Sequence, residues 1–157
     1  MGDERILIGS VPTRAGLGAV VEAGVTHAVN CRAPIQTTIS QDLWALRNVL
    51  GVDRVVQAPM WDSGRPQPAR LWAPAARFAA EALEDPAARV LIHCQQGRRR
   101  SVLVAYAVLR LRGRDPDRAE RLILESRGVA RLVPAYRDSV EEWLASGGAE
   151  TPEGAPE

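Results

Sequence analysis

Apolar positions along the chain follow two periods. Four short runs, Ile6 to Gly9, His27 to Cys31, Val52 to Gln57 and Arg89 to His93, are β-branched or continuously apolar and read as buried strands. Between and after them, apolar residues recur at helical spacing over Arg14 to Ala23, Gln41 to Leu50, Ala69 to Glu84, Ser101 to Arg112, Pro116 to Ser126 and Pro134 to Ala145. Strand and helix alternate, so the expected fold class is α/β. It should be a single domain with a central, mostly parallel sheet of about four to five strands flanked by helices, and binding groups beyond the carboxyl ends of the strands. Local stops agree: Gly113 closes one helix, Asp115-Pro116 starts the next as N-cap and first turn, and Gly128 ends it. Residues 147–157 have no apolar anchor and are expected to form a flexible, solvated tail, leaving 1–146 as the folded domain.

A length of 157 residues suits one domain with a sizeable core. The 20 basic and 19 acidic residues nearly cancel, so no global field draws in nucleic acid or an anionic membrane, and an anion site has to be built locally. Every basic residue is arginine and alanine is abundant, which reads as a GC-rich bacterial source. Two cysteines, Cys31 and Cys94, are too few for a disulfide framework. There is neither a leader-like N-terminus nor an apolar run of 18 residues, so the expected setting is the reducing cytoplasm without integral membrane association.

The segment Val90-Leu91-Ile92-His93-Cys94-Gln95-Gln96-Gly97-Arg98-Arg99-Arg100-Ser101-Val102 runs from a buried strand through a loop into an apolar helix. That is the layout of an anion cradle. Backbone N–H groups from Gln95 to Arg100 can turn inward around a tetrahedral anion, helped by the positive end of the helix, and Gly97 permits the turn. Cys94 opens the loop, where the same amides stabilise a thiolate. Arg100 closes it, and its planar fork can take two phosphate oxygens at once. Ser101 can give a proton to the thiolate as it leaves, and His93 can pin the loop through its ring nitrogens. Gln95, Gln96, Arg98 and Arg99 complete the candidate substrate-binding set with Gly97 and His93.

The pattern His-Cys-x-x-Gly-x-x-Arg-Ser at 93–101 resembles the signature of the protein tyrosine phosphatase superfamily, and the compact chain resembles its dual-specificity branch. Ile6-Leu7-Ile8-Gly9-Ser10-Val11-Pro12, Gly24-Val25-Thr26-His27-Ala28-Val29-Asn30-Cys31 and Arg131-Leu132-Val133-Pro134-Ala135-Tyr136 are similar to that branch in order and spacing, so the likeness covers about residues 5 to 145. The resemblance implies a general acid on a mobile loop about thirty residues before the cysteine. Asp62 stands 32 positions before Cys94 and fits that place. It would protonate the leaving group and then, as carboxylate, activate the water that hydrolyses the phosphocysteine. Two departures bear on substrate preference: Gln96 where the branch usually has alanine, and arginine at each of 98 to 100.

The simpler readings are these. Asp62-Ser63-Gly64 is also a turn sequence, and Arg98 and Arg99 are also ordinary surface charges. Asp53 and Asp85 are weaker acids by position. Cys31 reads as a core residue, and as an oxidation partner of Cys94 only if the fold brings the two together. His27, His93, Cys31 and Cys94 have no zinc spacing, so no metal and no cofactor is expected. Trp61 is expected to help close the Asp62 loop, and Asn30, Arg32 and Pro34 to line the pocket wall. The leading function is a phosphatase for phosphotyrosine, with phosphoserine and phosphothreonine, acting on a phosphorylated protein or small phosphoester. The alternative is an inositol phosphate or phosphoinositide phosphatase. A rhodanese-like sulfurtransferase or a non-catalytic phospho-binding module are further readings, and oligomeric state is not legible.

Overall fold

In the computed structural model, which describes residues 1 and 3–148, four parallel strands form one sheet in the order β1-β4-β2-β3. The strands are β1 (Ile6–Ser10), β2 (His27–Asn30), β3 (Val55–Gln57) and β4 (Val90–Cys94). β4 is central: Ser10 pairs with Cys94 on one side, and Asn30 with His93 on the other. The helices are α1 (Arg14–Glu22), α2 (Pro34–Ser40), α3 (Asp42–Leu50), α4 (Ala69–Ala82), α5 (Arg100–Leu111), α6 (Pro116–Ser126) and α7 (Pro134–Ala145).

Strand residues alternate between two apolar layers, as period two requires. Ile6, Val29, Val90, Ile92 and Cys94 pack with α4, α5, α6 and α7, where Trp72, Leu103, Tyr106, Ile123, Tyr136 and Trp143 lie. Ala28, Val55 and Leu91 pack with Leu17, Val20, Leu43 and Leu46 of α1 and α3. α5 is buried from Arg100 through Leu109 and forms the spine of the larger layer. Among the described residues no helix is long and apolar enough to cross a membrane.

Apart from shifts of one or two residues at element ends, the structure differs from the expected elements in three places. The expected strand Val52 to Gln57 is a single 3-10 turn, Val52–Arg54, followed by a strand of only three residues. Gly51 at φ 112° bends the backbone and its carbonyl accepts the Arg54 N–H at 3.2 Å, which uses up the start of the run. α2 was not expected at all. Gly147 and Gly148, assigned by sequence to the tail, close α7: the Gly148 N–H donates to the Trp143 carbonyl at 2.9 Å, and its own carbonyl accepts from Arg77. The rest of the expected tail, 149–157, lies outside the described residues.

Candidate active site

Cys94 is the last residue of the central strand, so its side chain emerges where the sheet ends and the 95–99 loop begins. The loop returns into α5 at Arg100. Gly97 makes this return possible: it holds φ 64°, and a Cβ there would stand 2.5 Å from the Gly9 carbonyl carbon and 2.6 Å from its oxygen. The outer side of the loop is held by residues far along the chain. Arg127 donates to the carbonyls of Gly97 at 2.8 Å and Gln96 at 3.1 Å. The Arg131 N–H donates to the Arg98 carbonyl at 2.7 Å.

The Gly97 N–H donates to Cys94 Sγ at 3.2 Å, and Ser101 Oγ stands 3.2 Å from the same sulfur. Burial pushes the Cys94 thiol up, but the Ser101 hydroxyl and the backbone amides of Ser101, Arg98 and Gln96 outweigh it, and the net displacement is below the ordinary thiol value. Arg100 is 5% exposed, and its Nη1 donates to Gln36 Oε1 at 3.0 Å and the Met60 carbonyl at 2.9 Å. Both bonds use one nitrogen and orient the planar guanidinium.

A cavity of about 190 Å³ opens over the loop, lined by Cys94, Gln95, Gln96, Arg98, Arg99, Arg100, Gln36 and Asp62. The Asp62 side chain thus shares a cavity with Cys94. Its Oδ1 accepts from the Tyr136 hydroxyl at 2.9 Å and lies 3.4 Å from Arg99 Nε. The loop that carries it is tied to α7: the Gly64 N–H donates to the Tyr136 hydroxyl at 3.1 Å and the Gln67 N–H to Ser139 Oγ at 3.0 Å. Gln67 Nε2 also reaches back to the Trp61 carbonyl at 2.6 Å. Trp61 itself is 61% exposed.

Several expected residues do not line the cavity. His93 is fully buried under the loop and is not among the residues that line the cavity. Burial pulls its pKa down to about 4 and Arg32 adds to the fall, while Asp42 and a hydrogen bond with the Cys94 backbone oppose it. Asn30 and Arg32 lie behind the wall: Arg32 pairs with Asp42 at 3.1 Å and donates to Gln95 Oε1 at 2.6 Å, while Asn30 donates to Asp42 at 3.1 Å. Pro34 is the first residue of α2. Asp53 lies in the 3-10 turn, and Asp85 accepts from the Ala87 N–H at 2.8 Å in the turn after α4.

Cys31 stands just past the β2–β4 ladder, with its N–H donating to the His93 carbonyl at 2.8 Å. Burial drives its thiol well above the ordinary value, and the neighbouring Cys94 adds to this. Sequence reasoning missed Gln36, Tyr136, Ser139, Gln67 and Arg127. Among the described residues no group of three or more His, Cys, Asp and Glu is placed to hold a metal ion.

No family model matches the chain, and no curated protein matches it. Solved structures share its fold. Human DUSP28 superposes with a TM-score of 0.68 at 23% identity, over 92% of this chain and 91% of that one. PTPMT1 in complex with PI(5)P gives 0.73 at 18% identity, over 92% and 94%. Human tyrosine phosphatase-like serine/threonine/tyrosine-interacting protein gives 0.72 at 18% identity, over 92% and 93%. The chain has the α/β fold of the dual-specificity branch of the tyrosine phosphatases. A fold does not fix a reaction, and the last of these names is a reminder of that.

Proposed function

We propose that this chain, built on the dual-specificity phosphatase fold, is a cysteine-dependent phosphatase that hydrolyses phosphomonoesters through a phosphocysteine intermediate. The observation that carries the reading is the position of Cys94 Sγ, held between the Gly97 amide and the Ser101 hydroxyl, with a lowered pKa, in one cavity with Arg100 and Asp62.

The phosphoryl group sits in the loop amides, with two of its oxygens on the Arg100 edge left by the Nη1 bonds to Gln36 and Met60. The Cys94 thiolate attacks phosphorus, the bond to the ester oxygen breaks, and Asp62 gives that oxygen its proton. Water then attacks the phosphocysteine while Asp62 takes a proton back. The phosphorus–sulfur bond breaks, and the Ser101 hydroxyl stabilises the departing thiolate. Every group in this sequence belongs to the chain. A reducing, cytoplasmic setting belongs to the reading, because a thiolate of this kind is readily oxidised. A sulfurtransferase or a mere phosphate binder would have no use for Asp62 and Ser101 in these places.

The substrate is a phosphotyrosine-bearing protein, with phosphoserine and phosphothreonine as further members of the class. A second reading, a phosphoinositide or inositol phosphate, is favoured by Arg98 and Arg99 in the cavity lining and by the similarity to PTPMT1, which was solved with PI(5)P.

The test is hydrolysis of an aryl phosphate with EDTA present by wild type, Cys94→Ser and Asp62→Asn, followed by phosphopeptides and phosphoinositides side by side. Turnover by wild type, none by Cys94→Ser, and loss of the Asp62-dependent limb of the pH profile support the mechanism. A wild type that binds phosphate but cleaves no ester would overturn it.

A further inference from the structure

The bonds around Tyr136 assign separate roles to the two oxygens of Asp62. A phenolic hydroxyl has one proton to donate and two lone pairs that accept. Two N–H groups donate to the Tyr136 oxygen, Gly64 N at 3.1 Å and Gln67 Nε2 at 3.4 Å. The orientation of the Gln67 amide is fixed independently. The same nitrogen donates to the Trp61 carbonyl at 2.6 Å, and a carbonyl can only accept. With both lone pairs engaged, the single hydroxyl proton is committed to Asp62 Oδ1, 2.9 Å away. Arg99 Nε, which also cannot accept, lies 3.4 Å from that same oxygen.

We propose that Tyr136 is a positioning residue that reserves Asp62 Oδ1 as an acceptor, so that Oδ2 is the oxygen that carries the proton and delivers it to the leaving group. The inference rests on the phosphatase reading and deepens it. Tyr136 is fully buried and touches no substrate; it acts through Asp62. In the first step the proton passes from Oδ2 to the ester oxygen as the phosphorus–oxygen bond breaks. In the second step Oδ2 takes a proton from the attacking water, which restores the acid. Throughout, the Tyr136 hydroxyl keeps its own proton and donates it in a hydrogen bond to Oδ1, so the carboxyl cannot rotate the proton on Oδ2 away from the cavity.

The experiment compares two aryl phosphates. 4-Nitrophenyl phosphate has a leaving group that departs with little help from an acid, whereas phenyl phosphate needs one. Tyr136→Phe keeps the ring and is expected to lower kcat/KM, which reports formation of the phosphocysteine and not its shared hydrolysis, about tenfold on phenyl phosphate and less than about twofold on 4-nitrophenyl phosphate. In the Asp62→Asn background the same substitution should have no further effect, because the two residues act as a unit. Ser139→Ala removes a different α7-to-loop bond and is expected to change both substrates alike. Gln67→Met frees one hydroxyl lone pair, so it should show the Tyr136→Phe discrimination at smaller size, and it carries the test if Tyr136→Phe does not fold. Equal losses on both substrates, additive losses with Asp62→Asn, or the same discrimination from Ser139→Ala would each overturn the proposal while leaving an active phosphatase. A wild type inert on both esters would overturn the phosphatase reading and this proposal with it.

Discussion

At the scale of single residues, the loop's chemistry rests on short-range contacts that mutation can probe one at a time. Ser101 and three backbone amides hold the Cys94 thiol below its ordinary value against the opposing effect of burial. Ser101→Ala removes the hydroxyl, so the pH at which Cys94 is half-alkylated by iodoacetamide should move upward, and breakdown of the phosphocysteine should slow about tenfold or more. Gly97→Ala is expected to destabilise the fold by at least about 2 kcal/mol, read from urea unfolding, because the new methyl meets Gly9 backbone at 2.5 Å and φ is 64°. His93 gives a pH signature of its own. Its ring is neutral in both states above 6.5. Between 6.5 and about 4 the unfolded chain takes a proton that the native chain refuses, so stability falls with pH across that window. The full loss is about 3 kcal/mol, and His93→Gln should flatten the slope of unfolding midpoint against pH. Cys94, Arg100 and Ser101 were legible because strand, loop and helix are contiguous in sequence and the spacing alone brings them together. His93 was expected at the substrate because it adjoins Cys94, but it is still inside the sheet and does not line the cavity.

At the scale of elements, what escaped sequence reading is what braces the loop. α2 is seven residues long, is β-branched at Ile35, Thr37, Thr38 and Ile39, and exposes Ile35 and Ile39 to solvent, so its apolar pattern points outward rather than toward a core. No helical period distinguishes it. Yet it delivers Gln36, whose Oε1 accepts from both Arg100 Nη1 and the Ala33 N–H, at 3.0 and 3.1 Å. Gln36→Ala should leave the fold intact and raise KM for an aryl phosphate about five- to tenfold through a loosened Arg100. Arg127 is equally invisible in sequence, being one arginine among many, and it sits 30 positions from the carbonyl it holds. Arg127→Ala should lower kcat on every phosphoester alike, since it acts on the loop and not on the acid. The strand and helix alternation itself was legible almost throughout, because each buried strand is apolar on both faces and each long helix has a clear period. The third strand was overestimated because Val52 continues the apolar run in composition while Gly51 turns the backbone.

At the scale of the whole molecule, the parallel order β1-β4-β2-β3 puts Cys94, the proposed nucleophile, at the carboxyl end of an inner strand, just before α5 begins. That much follows from alternation of elements. The placing of the proposed acid does not: Asp62 is bonded to Tyr136, 74 residues later, and its loop to Ser139, 72 residues from Gln67. α7 is in turn seated on α5 through Arg110 and Glu141 at 2.7 Å and through the Tyr106 hydroxyl on the same carboxylate. The loop that carries Asp62 is thus fastened through α7 to α5. A ribosome makes the chain in the opposite order, with Asp62 and Cys94, the proposed acid and nucleophile, emerging well before the helix that holds Asp62. A nascent chain ending before Pro134 lacks Tyr136, Val140 and Trp143 of the main core, so the core and the partner of the proposed acid are completed together, by the last helix.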